Sequence, residues 1–385
     1  MTDAATRPAA AQTPASLAAL ASSSYELIVA EQHASGAYPA SPTFSAYAGY
    51  SWFRDGAFTA DAVSAYGGVE SAGRFFDWCA GVLQARSASI ERIVQRAGAG
   101  NPVPDAEMLA TRFALDGTEG TDDWWDFQLD GYGTWLWALA EHAERHGVDT
   151  ERWQVAVELS VDYLLSSWRR SCFDWWEEHA SEVHVSTLGC IAAGLRAVSR
   201  SGLVGGERRA GADAAVAAIL DLIEREGTSD GHLAKWLGSA EVDASLLAVI
   251  SPLGVVDARS ELGRRTVAAV DEQLNADGGV HRYLADTFYG GGQWPLLSCF
   301  LGLARLAGGD RAGALDALEW AASTAADDGQ LPEQVGRHLL APDRTAEWVD
   351  RWGEVASPLL WSHAMYLRLA VDLGVVAPLG AEGDR

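Results

Sequence analysis

Ten stretches of this chain carry apolar residues at spacings of three and four, and runs that alternate apolar with polar residues are scarce. The stretches are 16–34, 61–85, 135–145, 151–167, 185–199, 210–226, 260–274, 296–306, 311–325 and 359–373. A chain patterned in this way buries its apolar stripes helix against helix, so an all-α architecture follows. Long connections rich in Gly, Asp and Trp, such as 117–133, recur between the helical pairs. Long loops in a compact domain usually carry function. About a dozen helices in hairpins, with elaborated loops at one end, predict an α/α toroid whose funnel holds the site. No shift in composition marks a second domain, so the reading is one domain over 16–385 behind a disordered tail at 1–15.

The formal charge of −25 would repel nucleic acid and anionic membrane surfaces, which leaves a small neutral ligand as the expected partner. Cys79, Cys172, Cys190 and Cys299 are too few and too scattered to staple or to bind metal, and read as reduced, buried thiols. The first fifteen residues lack the basic and apolar regions of a signal peptide, and no apolar run approaches a membrane span. A cytoplasmic location is the expectation. Oligomeric state leaves no trace in the pattern.

Two Glu-bearing segments far apart in the chain, Trp175-Trp176-Glu177-Glu178 and Leu331-Pro332-Glu333-Gln334, sit among aromatics and Gly-rich turns. They suggest a carboxylate pair assembled by the fold. Glycosidic hydrolysis needs such a pair, one carboxyl protonated to assist the leaving oxygen and one ionised to attack or to activate water. Many of the 16 Trp residues lie in turn-rich segments, where their faces suit sugar rings as well as the rim of a core. Arg54 and Asp55 offer a donor fork beside an acceptor, which suits adjacent hydroxyls and equally a buried ion pair.

Six motifs occur in an order that resembles glycoside hydrolase family 15, the glucoamylase and glucodextranase family. They are Tyr50-Ser51-Trp52-Phe53-Arg54-Asp55, Phe127 to Gly133, Asp174 to Glu178, Arg282-Tyr283 through Tyr289 to Trp294, Pro332-Glu333-Gln334 and Pro358 to His363. The resemblance implies an (α/α)6 barrel and release of glucose, with inversion, from the non-reducing end of α-glucosides. It implies Glu177 as general acid, Glu333 as general base and Asp174 as an electrostatic or water-positioning helper. Arg54, Asp55, Glu178 and Arg282 would then bind sugar hydroxyls, and Trp52, Trp176, Tyr289 and Trp294 would wall the pocket. The fungal members' Tyr ahead of the Trp-x-Arg-Asp motif falls on Ala48, so its contact is either missing or supplied by Tyr47 or Tyr50.

Other patterns carry less. Gly290-Gly291-Gly292 lacks the context of a phosphate-binding loop, and a close backbone approach in a site loop is the better reading. His179, His184 and His281 have no metal-ligand spacing, and Ser362-His363 lacks the elbow of an acyl-transfer nucleophile. No metal and no cofactor are expected. The first-choice substrate is isomaltose or another short α-1,6-glucoside, with maltose and trehalose as alternatives within the class. A non-catalytic sugar-binding protein on the same barrel, or another α/α-barrel enzyme such as a lyase or epimerase, are the readings from other classes.

Overall fold

The computed structural model describes residues 13–121, 124 and 127–380. Fourteen α-helices lie among them: α1 Pro14–Glu31, α2 Phe53–Tyr66, α3 Val69–Ala85, α4 Ser87–Gly98, α5 Asp130–His146, α6 Gln154–Ser167 and α7 Val185–Arg200, then α8 Gly206–Glu226, α9 Leu246–Ile250, α10 Glu261–Leu274, α11 Pro295–Gly308, α12 Arg311–Ala322, α13 Thr345–Trp352 and α14 Leu360–Asp372. Six of them close a ring: α2 packs on α5, α5 on α7, α7 on α9, α9 on α11, α11 on α14, and α14 back on α2. The helices α1, α3, α6, α8, α10 and α12 pack outside that ring. This is the (α/α)6 barrel, built as outer-to-inner hairpins.

Burial follows the layers. Inner α2 buries every residue except Asp55 and Ala65, whereas outer α8 buries only Ala212, Ala215, Ile219 and Ile223, a single stripe. Glycines set the closest inner approach. A Cβ on Gly194 of α7 would stand 2.3 Å from the Gly133 carbonyl of α5, and one on Gly133 would stand 2.4 Å from that of Cys190.

The two ends of the barrel differ. Links from inner to outer helices are short, as at Gly67–Gly68 and Gly309–Asp310, while links from outer to inner are long, as at 168–184, 275–294 and 323–359. The long loops therefore gather where the inner helices begin, at the positive ends of their dipoles.

The sequence expectations differ from the fold in a few places. The helix expected over 61–85 is two helices, because Gly67 adopts φ 101° and caps α2. Helix α1 starts inside the expected tail, since Thr13 Oγ1 accepts from Ser16 N at 3.2 Å and Pro14 takes the first helical position. The rest of the tail, 1–12, lies outside the described residues. Helices α4, α9 and α13 were not anticipated.

Candidate active site

Every candidate residue sits on a long loop or in the first turn of an inner helix. Strand β1 (Tyr50–Trp52) pairs antiparallel with β2 (Arg112–Ala114), which fixes Trp52 at the cap of α2 and sends Arg54 and Asp55 into its first turn. The cavity at this end has a volume of about 880 Å³ including its mouth. Trp52, Arg54, Asp55, Trp176, Glu177, Glu178, Arg282, Trp294 and Glu333 line it, so one cavity gathers both candidate catalytic carboxyls with seven of the eight expected sugar-binding residues.

Arg54 anchors the floor. It donates to Gln128 Oε1 at 2.8 Å and to Asp130 Oδ2 at 2.9 Å, and lies 3.3 Å from Asp55 and 3.7 Å from Glu177. Its guanidinium also stands 5.8 Å from the Trp175 ring and 5.4 Å from the Trp361 ring. Beneath it Phe58, Trp175, Phe300 and Trp361 pack on one another and fill the barrel. On the neighbouring wall Arg282 grips Asp286 with two nitrogens, stands 3.7 Å from Glu178, and faces the Trp176 ring at 5.2 Å. Each arginine is thus charge-paired and lines the cavity.

Glu177 adopts φ 57°, a left-handed conformation in the turn between α6 and α7, and its Oε1 accepts from Trp52 Nε1 at 2.9 Å. Burial pushes its carboxyl up to about 7 against the pull of Arg54. Glu333 accepts from Tyr47 O–H at 2.8 Å through Oε1, while its buried Oε2 has no hydrogen-bond partner. Burial pushes it up to about 8, with Tyr47 and Arg282 opposing and the Glu177 charge adding to the rise. Asp55 is raised by burial to about 6.

Tyr47 answers the question left by Ala48, since its hydroxyl supplies the contact to Glu333. A donor to the carboxylate stabilises the charged form and lowers its pKa, so Tyr47→Phe raises the Glu333 value further. The base must be ionised to act. Activity of Tyr47→Phe should therefore fall off at a higher pH on the acid side, and kcat at neutral pH should drop roughly 10- to 100-fold, the worth of a charge-assisted hydrogen bond of ~1.5–3 kcal/mol. A pH–kcat/KM profile that overlays the wild type would exclude this role.

The loop carrying Glu333 is tied from several sides. Ser362 Oγ donates to the Pro332 carbonyl at 2.8 Å, His363 Nε2 accepts from Leu331 N at 2.9 Å, and Gln334 Oε1 accepts from Gly292 N at 2.8 Å. Ser362 and His363 are thus struts for the loop. A Cβ on Gly292 would meet Gln334 Oε1 at 2.5 Å, the close approach that the glycine run suggested.

Two expected residues sit elsewhere. Tyr289 is buried behind the wall, where its hydroxyl donates to the Gly353 carbonyl at 2.9 Å, and neighbouring Phe288 faces the cavity instead. Tyr289 takes φ 48° in a tight turn, which rotates the two side chains relative to an extended run. Asp174 is also off the lining. Its Oδ1 accepts from Trp176 N and Glu178 N, both at 2.9 Å, so it shapes the turn that carries Glu177 and does not face a sugar. Burial pushes it up to about 8, with Lys235 opposing and Asp243 adding.

Sequence reasoning missed Trp124, Trp348, Arg351 and Trp352, which line the mouth. Trp348, Arg351 and Trp352 lie on α13, three and four residues apart, a spacing that α13 hides by burying none of its residues. Asp174, Glu178 and His179 are the one group among the described residues with ligand atoms close enough for a metal, within 4.8 Å. Asp174 Oδ1 and Glu178 Oε2 are already hydrogen-bonded there, and Lys235 Nζ stands 4.0 Å from Asp174, a cation that opposes a second one.

A barrel closed below by aromatics, with paired arginines and two raised carboxyls at its mouth, defines a pocket-type glycoside hydrolase. The sequence pattern of the glycosyl hydrolases family 15 matches residues 14–319, which include both arginine clusters and Glu177 and stop short of Glu333. The chain is 53% identical over 360 residues to the isomaltose glucohydrolase of Kribbella flavida, covering 93% of this chain and 94% of that protein. It is 25% identical to trehalase 2 of Sulfolobus acidocaldarius, over 62% of this chain and 43% of that one. A solved wild-type glycosidase superposes with TM-score 0.92 at 52% identity, covering 94% of this chain and 98% of that one, and a variant glycosidase solved with glucose superposes equally well. The glucoamylase of Saccharomycopsis fibuligera, 15% identical, shares the fold at TM-score 0.73 over 96% of this chain and 98% of that one. The protein belongs to glycosyl hydrolase family 15. No helix among the described residues is long and apolar enough to cross a membrane.

Proposed function

We propose that this glycoside hydrolase is an exo-acting, inverting α-glucosidase that frees β-glucose from the non-reducing end of short α-glucosides, with isomaltose its preferred substrate. The observation that carries the reading is the shared cavity: Glu177 and Glu333 face one blind pocket sized for a terminal sugar and a neighbour. Aromatic packing under Arg54 blocks passage of a chain, which supports exo-action.

In this reading Glu177 gives its proton to the leaving glycosidic oxygen, an assignment that draws on its place in the Asp174 to Glu178 motif, since burial alone lifts Glu333, at about 8, above Glu177, at about 7. Glu333, its charge stabilised by the Tyr47 hydroxyl, takes a proton from the water that attacks the anomeric carbon. Arg54 with Asp55, and Arg282 with Glu178, hold hydroxyls of the terminal glucose, while Trp52, Trp176, Phe288 and Trp294 form the apolar walls. Trp348 and Trp352, with ring centroids 5.2 Å apart, offer faces to the acceptor sugar at the mouth. The preference for the α-1,6 linkage draws on the name of the Kribbella flavida relative and its near full-length match. We take 16–385 to act as one catalytic domain without a cofactor. Four buried, unbridged cysteines favour a reducing compartment, and we place the enzyme in the cytoplasm.

The test is glucose release from isomaltose, maltose, nigerose, kojibiose and trehalose at equal concentration, with Glu333→Gln as the blank. Isomaltose should lead the panel. Preference for trehalose or maltose would reassign the linkage, and silence with sugar binding intact would point to a binder on the same barrel.

A further inference from the structure

Lys235 is the only lysine in the chain. It lies on the loop between α8 and α9, with its side chain 1% exposed, outside the cavity lining. Two other loops, 168–184 and 275–294, bring a group against its ammonium, and its own loop supplies another. Nζ is 3.3 Å from Asp243 Oδ2, 4.0 Å from Asp174 Oδ2, and 3.0 Å from the centre of the Tyr283 ring. Neither Lys235 Nζ nor Asp174 Oδ2 has a hydrogen-bond partner, so the ammonium acts through charge.

Each group around it grips the segment that carries the candidate acid. Asp174 holds the backbone of Trp176 and Glu178 through the N–H groups of both. Asp243 accepts from Trp176 Nε1 at 3.0 Å, and Tyr283 donates to Glu178 Oε2. The remaining charges nearby do not replace the lysine. Arg282 is committed to Asp286. His179 and His184 are held below the ordinary imidazole value by desolvation with Lys235 contributing, so they are neutral at pH 7. Without Lys235, Asp243 would be a buried anion held by hydrogen bonds from Trp176 and Ser245 but with no countercharge, an unfavourable state.

We propose that Lys235 is a positioning residue: its buried charge compensates Asp243, which holds Trp176, and thereby fixes the turn that aims Glu177 at the glycosidic oxygen. The inference rests on Glu177 being the acid. It predicts a defect largest on substrates that need one, because misplacing a catalytic group by about 1 Å costs on the order of 100-fold, with a smaller loss common to all substrates from Trp176 and Glu178 on the same turn.

The experiment compares isomaltose with α-glucosyl fluoride, whose leaving group departs without protonation, in wild type, Lys235→Met and Lys235→Met/Asp243→Asn. Lys235→Met should lose roughly 10- to 100-fold in kcat on isomaltose with a smaller change in KM, and should lose several-fold less on the fluoride. In the double variant both charges are gone and the Asn oxygen still accepts from Trp176, so most isomaltose turnover should return. Equal losses on both substrates in folded Lys235→Met, or no loss at all, would overturn the proposal. If Lys235→Met does not fold, the double variant decides: recovery supports the charge role, and failure to fold or an unselective loss refutes it. A wild type silent on both substrates would instead sink the functional reading above.

Discussion

Glu333→Gln should lower kcat on isomaltose by at least about 100-fold, and within the 10²–10⁴ range for loss of a general base. The substitution keeps the shape of the side chain and can keep the hydrogen bond with Tyr47, but it removes the only charge that can take a proton from water at that wall. Glu333 is 2% exposed, and its Oε2 is buried without a hydrogen-bond partner, which leaves that oxygen uncommitted for the attacking water. Because the substrate contacts of Arg54, Arg282 and the aromatic walls are untouched, KM should change much less than kcat. Steady-state kinetics of the folded variant check both statements. The loss should persist on α-glucosyl fluoride, since water must be activated whatever the leaving group is.

Glu177→Ala should show the opposite substrate dependence. On isomaltose, whose leaving group is a sugar alkoxide, the loss should again be about 10²–10⁴-fold. On α-glucosyl fluoride most activity should remain, because fluoride needs no proton. Truncation frees the Trp52 N–H and removes one carboxylate near Arg54, while Gln128, Asp130 and Asp55 still hold Arg54 in place. The crossing pattern of the two variants assigns acid and base independently of any pH profile. If Glu177→Ala lost both substrates equally while Glu333→Gln spared the fluoride, the two roles would have to be exchanged.

Much of this site could be read in the residues themselves, and the exceptions have physical reasons. Trp52, Arg54, Glu177 and Glu333 are legible through the ordered motifs that resemble family 15, since on residue type alone Arg54 and Asp55 fit a buried ion pair equally well. Inner helices are harder to see. Most of α2 is apolar or small on all sides and shows no stripe, so only its second half was expected and its first turn was read as a motif. Helix α13 fails in the reverse sense, since it buries no residue of its own and presents Trp348 and Trp352 to the cavity mouth. Tyr289 and Phe288 changed places because one left-handed residue reverses which side chain faces inward, and nothing local demands that of a tyrosine. Asp174 was recognised by its neighbours, yet its work depends on two backbone N–H groups, which no side-chain pattern encodes. Lys235 did leave a signal, a single lysine in an arginine-rich cationic complement, and its partners come from loops that only the barrel brings together.

The central claim is a single displacement by water, driven by Glu177 and Glu333 in a blind pocket. The most direct measurement is the anomeric configuration of the first glucose released from isomaltose, followed by proton NMR before mutarotation. The account predicts β-glucose at the earliest time points, absent with Glu333→Gln. Initial release of α-glucose would mean a covalent intermediate and double displacement, and would contradict it.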